Sequence, residues 1–229
     1  MRSSRATFVS LFLGVGVSLL MFVQPATATL VDFDALDASA SPITGLPLAS
    51  YLAGFGISLS GVTPGTNVAV IADQNLHGGV AMDSPSAPNI LSQIGSNNPV
   101  TFTMNFSSPL DSFSFTRAKL LVATPSGITH PAWQAYAFGA SMTQLDFESE
   151  GLIASFSDVL AATYTLSGPG ITSVRFDSQN GNFAAFSGVL LDNLNFTAST
   201  SSPVPEPSTL LLLGSGLAGL AMWRRKRQG

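Results

Sequence analysis

The chain has 229 residues, of which 45% are hydrophobic and only 10% are charged, so it can bury a sizeable core as one ordinary domain with short additions. It has no cysteine, which excludes disulfides, thiolate metal sites and cysteine nucleophiles. Residues 29–202 contain twelve acids and three bases, a net charge of −9, and nucleic-acid binding is excluded because it needs a basic surface.

The first 28 residues have the three parts of a secretory signal peptide. Arg2 and Arg5 supply a positive start, and residues 8–23 are apolar and uncharged. Ala26-Thr27-Ala28 then gives the small-residue pattern at which signal peptidase cleaves. The alternative is a retained membrane helix, but the apolar stretch is shorter than the ~20 residues of a typical span. We therefore predict a signal helix that is removed on export at the site marked by Ala26 and Ala28.

The body, residues 29–198, is predicted to be all-β. Clusters of Gly, Pro, Ser and Asn recur as turn signals, and short runs of alternating apolar and polar residues lie between them. The predicted strands are 30–33, 55–59, 68–71, 100–106, 113–116, 133–138, 174–176 and 189–196. A weak helical spacing is confined to Leu152, Phe156, Val159 and Leu160. This pattern predicts an antiparallel β-sandwich, a jelly roll of the lectin-like or galactose-binding-like kind.

Three carboxylates alternate in the stretch QLDFESEG. Asp146, Glu148 and Glu150 fall on one side of an extended strand, whereas Leu145 and Phe147 fall on the other. We expect this acidic side to be a solvated strand face. The alternatives are an acidic stripe that gathers cations, and a hydrolase in which Glu148 or Glu150 has a raised pKa in a cleft.

No catalytic residues are predicted. His77 and His130 lie beside Gly or Pro in turns and belong to no recognisable motif, so both are expected to be surface loop residues. Aromatic platforms that stack on sugars are the other chemistry to consider. Trp133 and Tyr136 point to opposite faces of an extended strand, which disfavours a platform made by these two rings.

Asp192 is the most informative carboxylate. In strand register it shares a face with Leu190, Leu194 and Phe196, which is expected to be the core side. A buried carboxylate is costly unless it is paired, hydrogen-bonded or metal-bound. One interpretation is a structural Ca²⁺ held by Asp192 with Asp32 or Asp34, because carboxylate oxygens suit this hard cation. The alternatives are a shift of register by one residue, an edge bulge, or a carboxylate that caps backbone N–H groups.

Residues 199–203 are predicted to be a flexible linker, and the tail, residues 204–229, has three ordered parts. Pro205-Glu206-Pro207 is followed by an apolar segment over residues 209–223 and then by Arg224, Arg225, Lys226 and Arg227. The apolar segment predicts a marginal transmembrane helix, with the basic cluster as a cytoplasmic stop. Gly214, Gly216 and Gly219 match a dinucleotide-binding fingerprint, but the chain ends before the second strand which that site requires.

The tail, residues 203–229, resembles the PEP-CTERM sorting signal of exported bacterial proteins. This resemblance implies recognition by exosortase, a membrane transpeptidase, with processing near the PEP motif. The body stretches LVDFDAL and FSGVLLDNLNF also resemble the first and last strands of domains in other PEP-CTERM proteins.

These features together predict a non-enzymatic protein that passes through the inner membrane to the cell surface or extracellular matrix. The family resemblance implies an association with exopolysaccharide or biofilm. The alternative is a carbohydrate-binding module stabilised by calcium. The expected partners are signal peptidase, exosortase, the membrane in transit and exopolysaccharide. The one cofactor under consideration is the structural Ca²⁺ described above.

Overall fold

The described part of the body consists mainly of short β-strands together with two unusually long ones. The computed structural model describes residues 28–72, 82–83, 85–86, 88–95, 99–120, 132–152, 160–178 and 189–199, together with positions 214, 216 and 217. The strands are β1 Ala28–Val31, β2 Ile57–Ser60, β3 Asn67–Ala72, β4 Met82–Asp83, β5 Asn89–Ile94, β6 Val100–Arg117, β7 Lys119–Leu120, β8 Trp133–Phe138, β9 Gln144–Glu150, β10 Ala162–Ser178 and β11 Leu191–Ala198. Helix α1 spans Gly45–Ala53, and a short 3₁₀ turn spans Ala140–Met142.

Strand pairing is antiparallel throughout the described part of the chain. The main sheet runs β3-β5-β11-β6-β10-β8-β9, with β1 on β11 and β2 on β6, while β4 and β7 form a separate pair. The prediction of an antiparallel all-β body is therefore confirmed. Because β1 pairs with β11, the first and last strands of the body lie side by side, with Ala28 opposite Thr197.

The main sheet folds over on itself to make two layers. In the β6–β10 register Phe115 lies opposite Tyr164, twelve residues from Phe176 along β10. A straight strand would separate those two β10 positions by ~40 Å at ~3.3 Å per residue. The rings of Phe115 and Phe176 are nevertheless only 5.1 Å apart. Both long strands must therefore bend, so that each contributes one half to each layer of a sandwich.

Aromatic rings fill the space between the layers. Phe102 stacks on Phe176 at 5.1 Å, and Phe115 meets Trp133 edge-on at 5.4 Å. Each of these side chains is at most 1% exposed. Burial of large rings is a strong stabilising contribution, which a chain without disulfides needs.

Two predicted turns are wrong, because they lie inside the long strands. Residues 107–111 (SSPLD) continue β6, and residues 167–170 (SGPG) continue β10. The register shifts between Ser167 and Ile171, and again between Ile171 and Ser173. The turn-forming residues therefore mark the bend of continuous strands, held in place by Leu110, which is 2% exposed.

Other element boundaries also differ from prediction. Helix α1 and strand β5 were not predicted, and β1 ends at Val31 because Phe33 adopts a positive φ of 65°. The helix buries Leu48 and Leu52, one turn apart, under the sheet. The predicted helical turn is wrong at Leu152 and Leu160, which lie outside any helix, and residues 153–159 lie outside the described residues.

Candidate functional site

A row of directly paired residues crosses five strands on the outer face of one layer. From β9 to β2 the row is Phe147, Tyr136, Arg175, Thr103 and Ser60. Directly opposed residues point to the same side of a sheet, so these side chains form one continuous surface. Both ends of the row are exposed, and Phe147, the aromatic end, is 40% exposed. We call this surface, with the two flanking rows described next, the aromatic sheet face.

The flanking rows are polar apart from Phe138. On one side lie Ser149, Gln134, Asp177 and Thr101, and on the other lie Phe138, Ser173, Asn105 and Ser58. The Tyr136 hydroxyl donates to Gln134 Oε1 at 2.7 Å. Asn105 Nδ2 donates to Ser60 Oγ at 2.9 Å, which orders the amide beside the central row. The face therefore carries hydroxyl and amide groups around a small aromatic cluster.

Arg175 lies at the centre of the aromatic sheet face. Its guanidinium carbon is 4.8 Å from the centre of the Tyr136 ring and 5.5 Å from that of Phe138. Arg175 Nε and Nη2 each lie 3.0 Å from Asp177 Oδ2. Tyr136 contacts Phe147 on its other side, with ring centroids 5.1 Å apart. The guanidinium is thus held over two aromatic rings and anchored by a carboxylate.

This arrangement was only partly predictable. Trp133 is buried while Tyr136 lies on the outer face, so their opposite orientation is confirmed. The sequence argument missed that Phe147 and Arg175, on neighbouring strands, join Tyr136 on the same side. The alternation in β9 indicates which of its side chains share a face. The residues of β8 and β10 that lie beside those side chains can be identified only from the β8–β9 and β8–β10 registers.

The acidic side of β9 is not the solvated face that we expected. Glu150 pairs with Trp133 in register and is turned toward the interior, where Arg117 Nε and Nη2 donate to it, each at 2.9 Å. Trp133 Nε1 and the Tyr164 hydroxyl donate to the same carboxylate at 3.0 and 2.8 Å.

Glu150 is held in its ionised form. Burial by itself raises the pKa of Glu150, but the donated bonds, led by Arg117, outweigh it and leave that pKa below its usual value. A general acid needs the opposite shift, so the hydrolase alternative is wrong for Glu150. Asp146 instead accepts the Ser167 N–H at 2.7 Å.

The predicted burial of Asp192 is confirmed, with 0% exposure. Its Oδ2 accepts the N–H and hydroxyl of Ser86 at 2.8 and 2.9 Å, and its Oδ1 accepts the Asn193 N–H at 2.7 Å. The carboxylate therefore caps backbone N–H groups, and a register shift with positive φ at Asn193 accompanies it. Burial raises the pKa of Asp192 to about 7.

Asp32 and Asp34 lie near Asp192. The Ser86 hydroxyl bonded to Asp192 also donates to the Asp32 carbonyl at 3.4 Å, and the charge of Asp34 contributes to the raised pKa of Asp192. Burial likewise raises the pKa of Asp34. Within the described ranges, no group of three or more His, Cys, Asp or Glu side chains has an arrangement that could hold a metal ion.

A separate groove lies between α1 and strands β2 and β3. It has a volume of about 500 Å³, and its walls are mainly aliphatic, including Leu48, Leu59 and Val68. No charged residue occurs in residues 38–72, so nothing there can fix a polar ligand by charge. The groove therefore lacks the charged groups that the aromatic sheet face carries.

Most of the predicted sorting residues lie outside the described residues. These are Ala26, Pro205, Glu206, Pro207, Arg224, Arg225, Lys226 and Arg227, and the same holds for His77 and His130. Ala28 is the first residue of β1. In the tail, positions 214, 216 and 217 are helical. No helix within the described positions reaches the length and apolar character of a membrane span.

These elements define an antiparallel β-sandwich protein with an aromatic and polar face on one layer. The chain also carries a PEP-CTERM protein-sorting motif, since the family model of that description matches residues 203–227. A motif of this type is the signature of exported, exosortase-sorted proteins.

Several solved structures resemble the chain at low sequence identity. A Stig cyclase from Fischerella sp. TAU matches at 14% identity over 76% of this chain and 98% of that chain, with a TM-score of 0.47. A family 11 carbohydrate-binding module from Clostridium thermocellum matches at 10% identity, 75% and 96% coverage, and a TM-score of 0.35. A mannan-recognising carbohydrate-binding module matches at 10% identity, 76% and 100% coverage, and a TM-score of 0.37. No curated protein sequence matches the chain.

Proposed function

We propose that the protein is an exported, exosortase-sorted and non-enzymatic β-sandwich that binds polysaccharide at the cell surface or in the extracellular matrix. The observation that carries the binding part is the row formed by Phe147, Tyr136, Arg175, Thr103 and Ser60. Aromatic rings bury the apolar faces of sugar rings, while hydroxyl, amide and guanidinium groups pair with sugar hydroxyls. Exopolysaccharide or other biofilm material is the proposed ligand in the cell.

The binding proposal is tested by truncating the aromatic end of the row. Phe147→Ala removes a ring that is 40% exposed, so the fold should tolerate it. We expect it to weaken polysaccharide binding at least tenfold in affinity electrophoresis. Leu30→Ala is the matched control, because Leu30 is 52% exposed and lies on β1, away from this face. Equal binding by both variants would contradict the proposal.

The sorting part predicts two cleavages. Signal peptidase would act at Ala26-Thr27-Ala28, and exosortase near Pro205-Glu206-Pro207 after the basic cluster 224–227 has halted translocation. Replacing the three PEP residues by alanine should cause the tail-bearing form to accumulate in the inner membrane of an exosortase-containing host. Immunoblots of membrane and extracellular fractions measure this, and normal release of the substituted chain would overturn the assignment.

A structural Ca²⁺ held by Asp192 with Asp32 or Asp34 is proposed as a further stabilising element. Because these three carboxylates do not by themselves form a metal-binding group, backbone oxygens would have to complete the site. Two observations support it. The charge of the partly buried Asp34 raises the pKa of the buried Asp192. In addition, Asn89 Oδ1 is a buried acceptor with no hydrogen-bond partner, while the Asn89 N–H contacts Asp34 Oδ1 at 3.4 Å. A bound cation would supply the missing positive charge.

The test measures thermal unfolding in Ca²⁺ and in EDTA. Binding to the folded state alone raises the melting temperature with the concentration of the ion. Asp34→Asn should abolish that rise, whereas Asp37→Asn, an exposed change in the same segment, should leave it intact. A melting temperature that is the same in Ca²⁺ and EDTA would remove calcium from the proposal without affecting polysaccharide binding.

A further inference from the structure

The aromatic sheet face is electrically balanced, although it belongs to an acidic body. In the three rows, Arg175 and Asp177 are the two ionised side chains, and they are paired with each other at 3.0 Å. From this pairing we infer that the ligand of the face is an uncharged polysaccharide, and that anionic polysaccharides are excluded. This inference rests on the proposed function and specifies the class of its ligand.

Arg175 is not available as a simple anion receptor. Two of its nitrogens approach Asp177 Oδ2, and its guanidinium carbon lies over the rings of Tyr136 and Phe138. A carboxylate or sulfate on a polysaccharide would have to displace Asp177 or share the guanidinium with it. Placing a second anion beside Asp177 adds like-charge repulsion, which reduces the gain from the new contact.

The charge of the whole body acts in the same direction. Residues 29–202 contain twelve acids and three bases, and two of these bases, Arg117 and Arg175, are already paired with Glu150 and Asp177. At low ionic strength the Debye length is about 30 Å, so this excess negative charge is felt across the face. An anionic polymer is therefore repelled before it makes any contact, whereas a neutral polymer is not.

The same pair is suited to neutral sugars. Arg175 Nη1 can donate and Asp177 Oδ1 can accept, since the contacts within the pair use other atoms. A donor and an acceptor side by side match two neighbouring hydroxyls of a sugar ring, each of which can both donate and accept. The row crosses five strands, a length of about 19 Å at ~4.8 Å per spacing, which fits a polymer segment better than a single sugar.

The experiment compares neutral and anionic polymers with the full chain purified in a neutral detergent. The probes are mixed-linkage β-glucan, mannan and galactan on one side, and alginate, polygalacturonate and hyaluronate on the other. We expect retardation by at least one neutral polymer, with an affinity that changes less than about twofold between about 10 mM and about 150 mM salt. We expect no binding to the anionic polymers at either salt concentration.

Two variants test the role of the pair. Asp177→Asn frees the Arg175 charge and should create weak binding to anionic polymers at low salt that disappears at high salt. Arg175→Gln should weaken neutral-polymer binding roughly tenfold or more without creating anionic binding. Both pair members are partly exposed, so both variants should fold, and circular dichroism checks this.

The possible outcomes distinguish a wrong inference about the charge of the ligand from a wrong proposal that the protein binds polysaccharide. Preferential binding of anionic polymers by the unmodified chain would leave polysaccharide binding in place and overturn the inference about charge. Asp177→Asn with unchanged selectivity would also overturn it. Failure to bind any polymer of either class would overturn the proposed function itself, and the inference with it.

Discussion

At the scale of single residues, the two ion pairs found among the described residues of the body are of different kinds. Arg117 and Glu150 lie between the layers, with side chains 2% and 16% exposed, whereas Arg175 and Asp177 lie on the outer face at 37% and 25%. Removing one partner of a buried pair leaves a desolvated charge, but an exposed pair contributes little to stability. The first pair is therefore structural, and the second is free to serve binding.

The first prediction compares these pairs. Glu150→Gln should lower the free energy of unfolding by about 3 kcal/mol, because Arg117 stays buried without its counter-charge. Arg175→Gln should lower it by less than about 1 kcal/mol. Urea denaturation at neutral pH measures both changes. Similar losses for the two variants would mean that the Glu150 network does not stabilise the interior.

The second prediction concerns pH. The folded state keeps the proton of Asp192 up to a pKa of about 7, whereas the unfolded chain releases it near 3.8. Between these values the folded state binds more protons, so the free energy of unfolding should fall as pH rises from about 4 to about 7 and then level off. The raised pKa of Asp34 adds to this trend, and the lowered pKa of Glu150 acts only below 4.5.

Asp192→Asn provides the measurement for that prediction. Urea denaturation in EDTA between about pH 5 and about pH 8 should give a sloping stability curve for the unmodified chain and a flatter one for the variant. Asp111→Asn, at an exposed position of β6, is the control that should retain the slope. A flat curve for the unmodified chain would contradict the raised pKa.

At the scale of elements, two turns next to strands contain glycines with positive φ, and one of these glycines allows two backbone segments to approach closely. Gly95 follows β5 with a φ of +110°, and a methyl group there would lie 2.9 Å from the Gly65 carbonyl oxygen. Gly65 has a φ of +82° but open space around the same position. An alanine would therefore strain the backbone at either position, but only at Gly95 would its methyl group also meet a neighbouring backbone atom.

The third prediction uses that difference. Gly65→Ala should cost about 1 kcal/mol from the left-handed backbone alone. Gly95→Ala should cost at least about 1 kcal/mol more, because the atom in its way belongs to the backbone and cannot rotate aside. Thermal unfolding of the two variants measures the difference. Equal melting temperatures would show that the turn after β5 relaxes without cost.

At the scale of the whole molecule, the bent strands β6 and β10 make the two layers one cooperative structure. Phe176 contacts Phe115 across the layers at 5.1 Å and is 1% exposed. A strand shared by both layers cannot unfold in one of them alone without losing such contacts. We therefore expect a single unfolding transition for the body.

The fourth prediction tests this cooperativity. Phe176→Ala should destabilise the body by about 4 kcal/mol, and far-ultraviolet dichroism and tryptophan fluorescence should still report one coincident transition. Phe147→Ala, which removes a ring of the same size from the outer face, should cost much less. Two separated transitions in either variant would mean that the layers fold independently.

The sequence by itself determined the class of fold and the sorting signal. Alternation in stretches such as 133–138 predicts strands because each strand needs one buried side, and the tail motif is a linear signal that needs no fold. The sequence also predicted correctly that Asp192 lies in the core, because the alternation of the strand puts Asp192 on the same face as its apolar neighbours. Helix α1 was missed although Leu48 and Leu52 are spaced for it and Gly54 ends it, because nine residues give little periodicity.

Only the tertiary structure decided which residues form the candidate site. Phe147, Tyr136 and Arg175 come from three strands, and only the register of those strands brings them together. Residues 107–111 read as a turn, because local composition cannot show that buried Leu110 and two neighbouring strands keep the backbone extended. Glu150 looked solvated for the same reason, since Arg117 is 33 residues away in sequence. The sequence shows which chemical groups are close to one another along the chain, whereas the pairing of residues that are distant in sequence depends on how the strands pack.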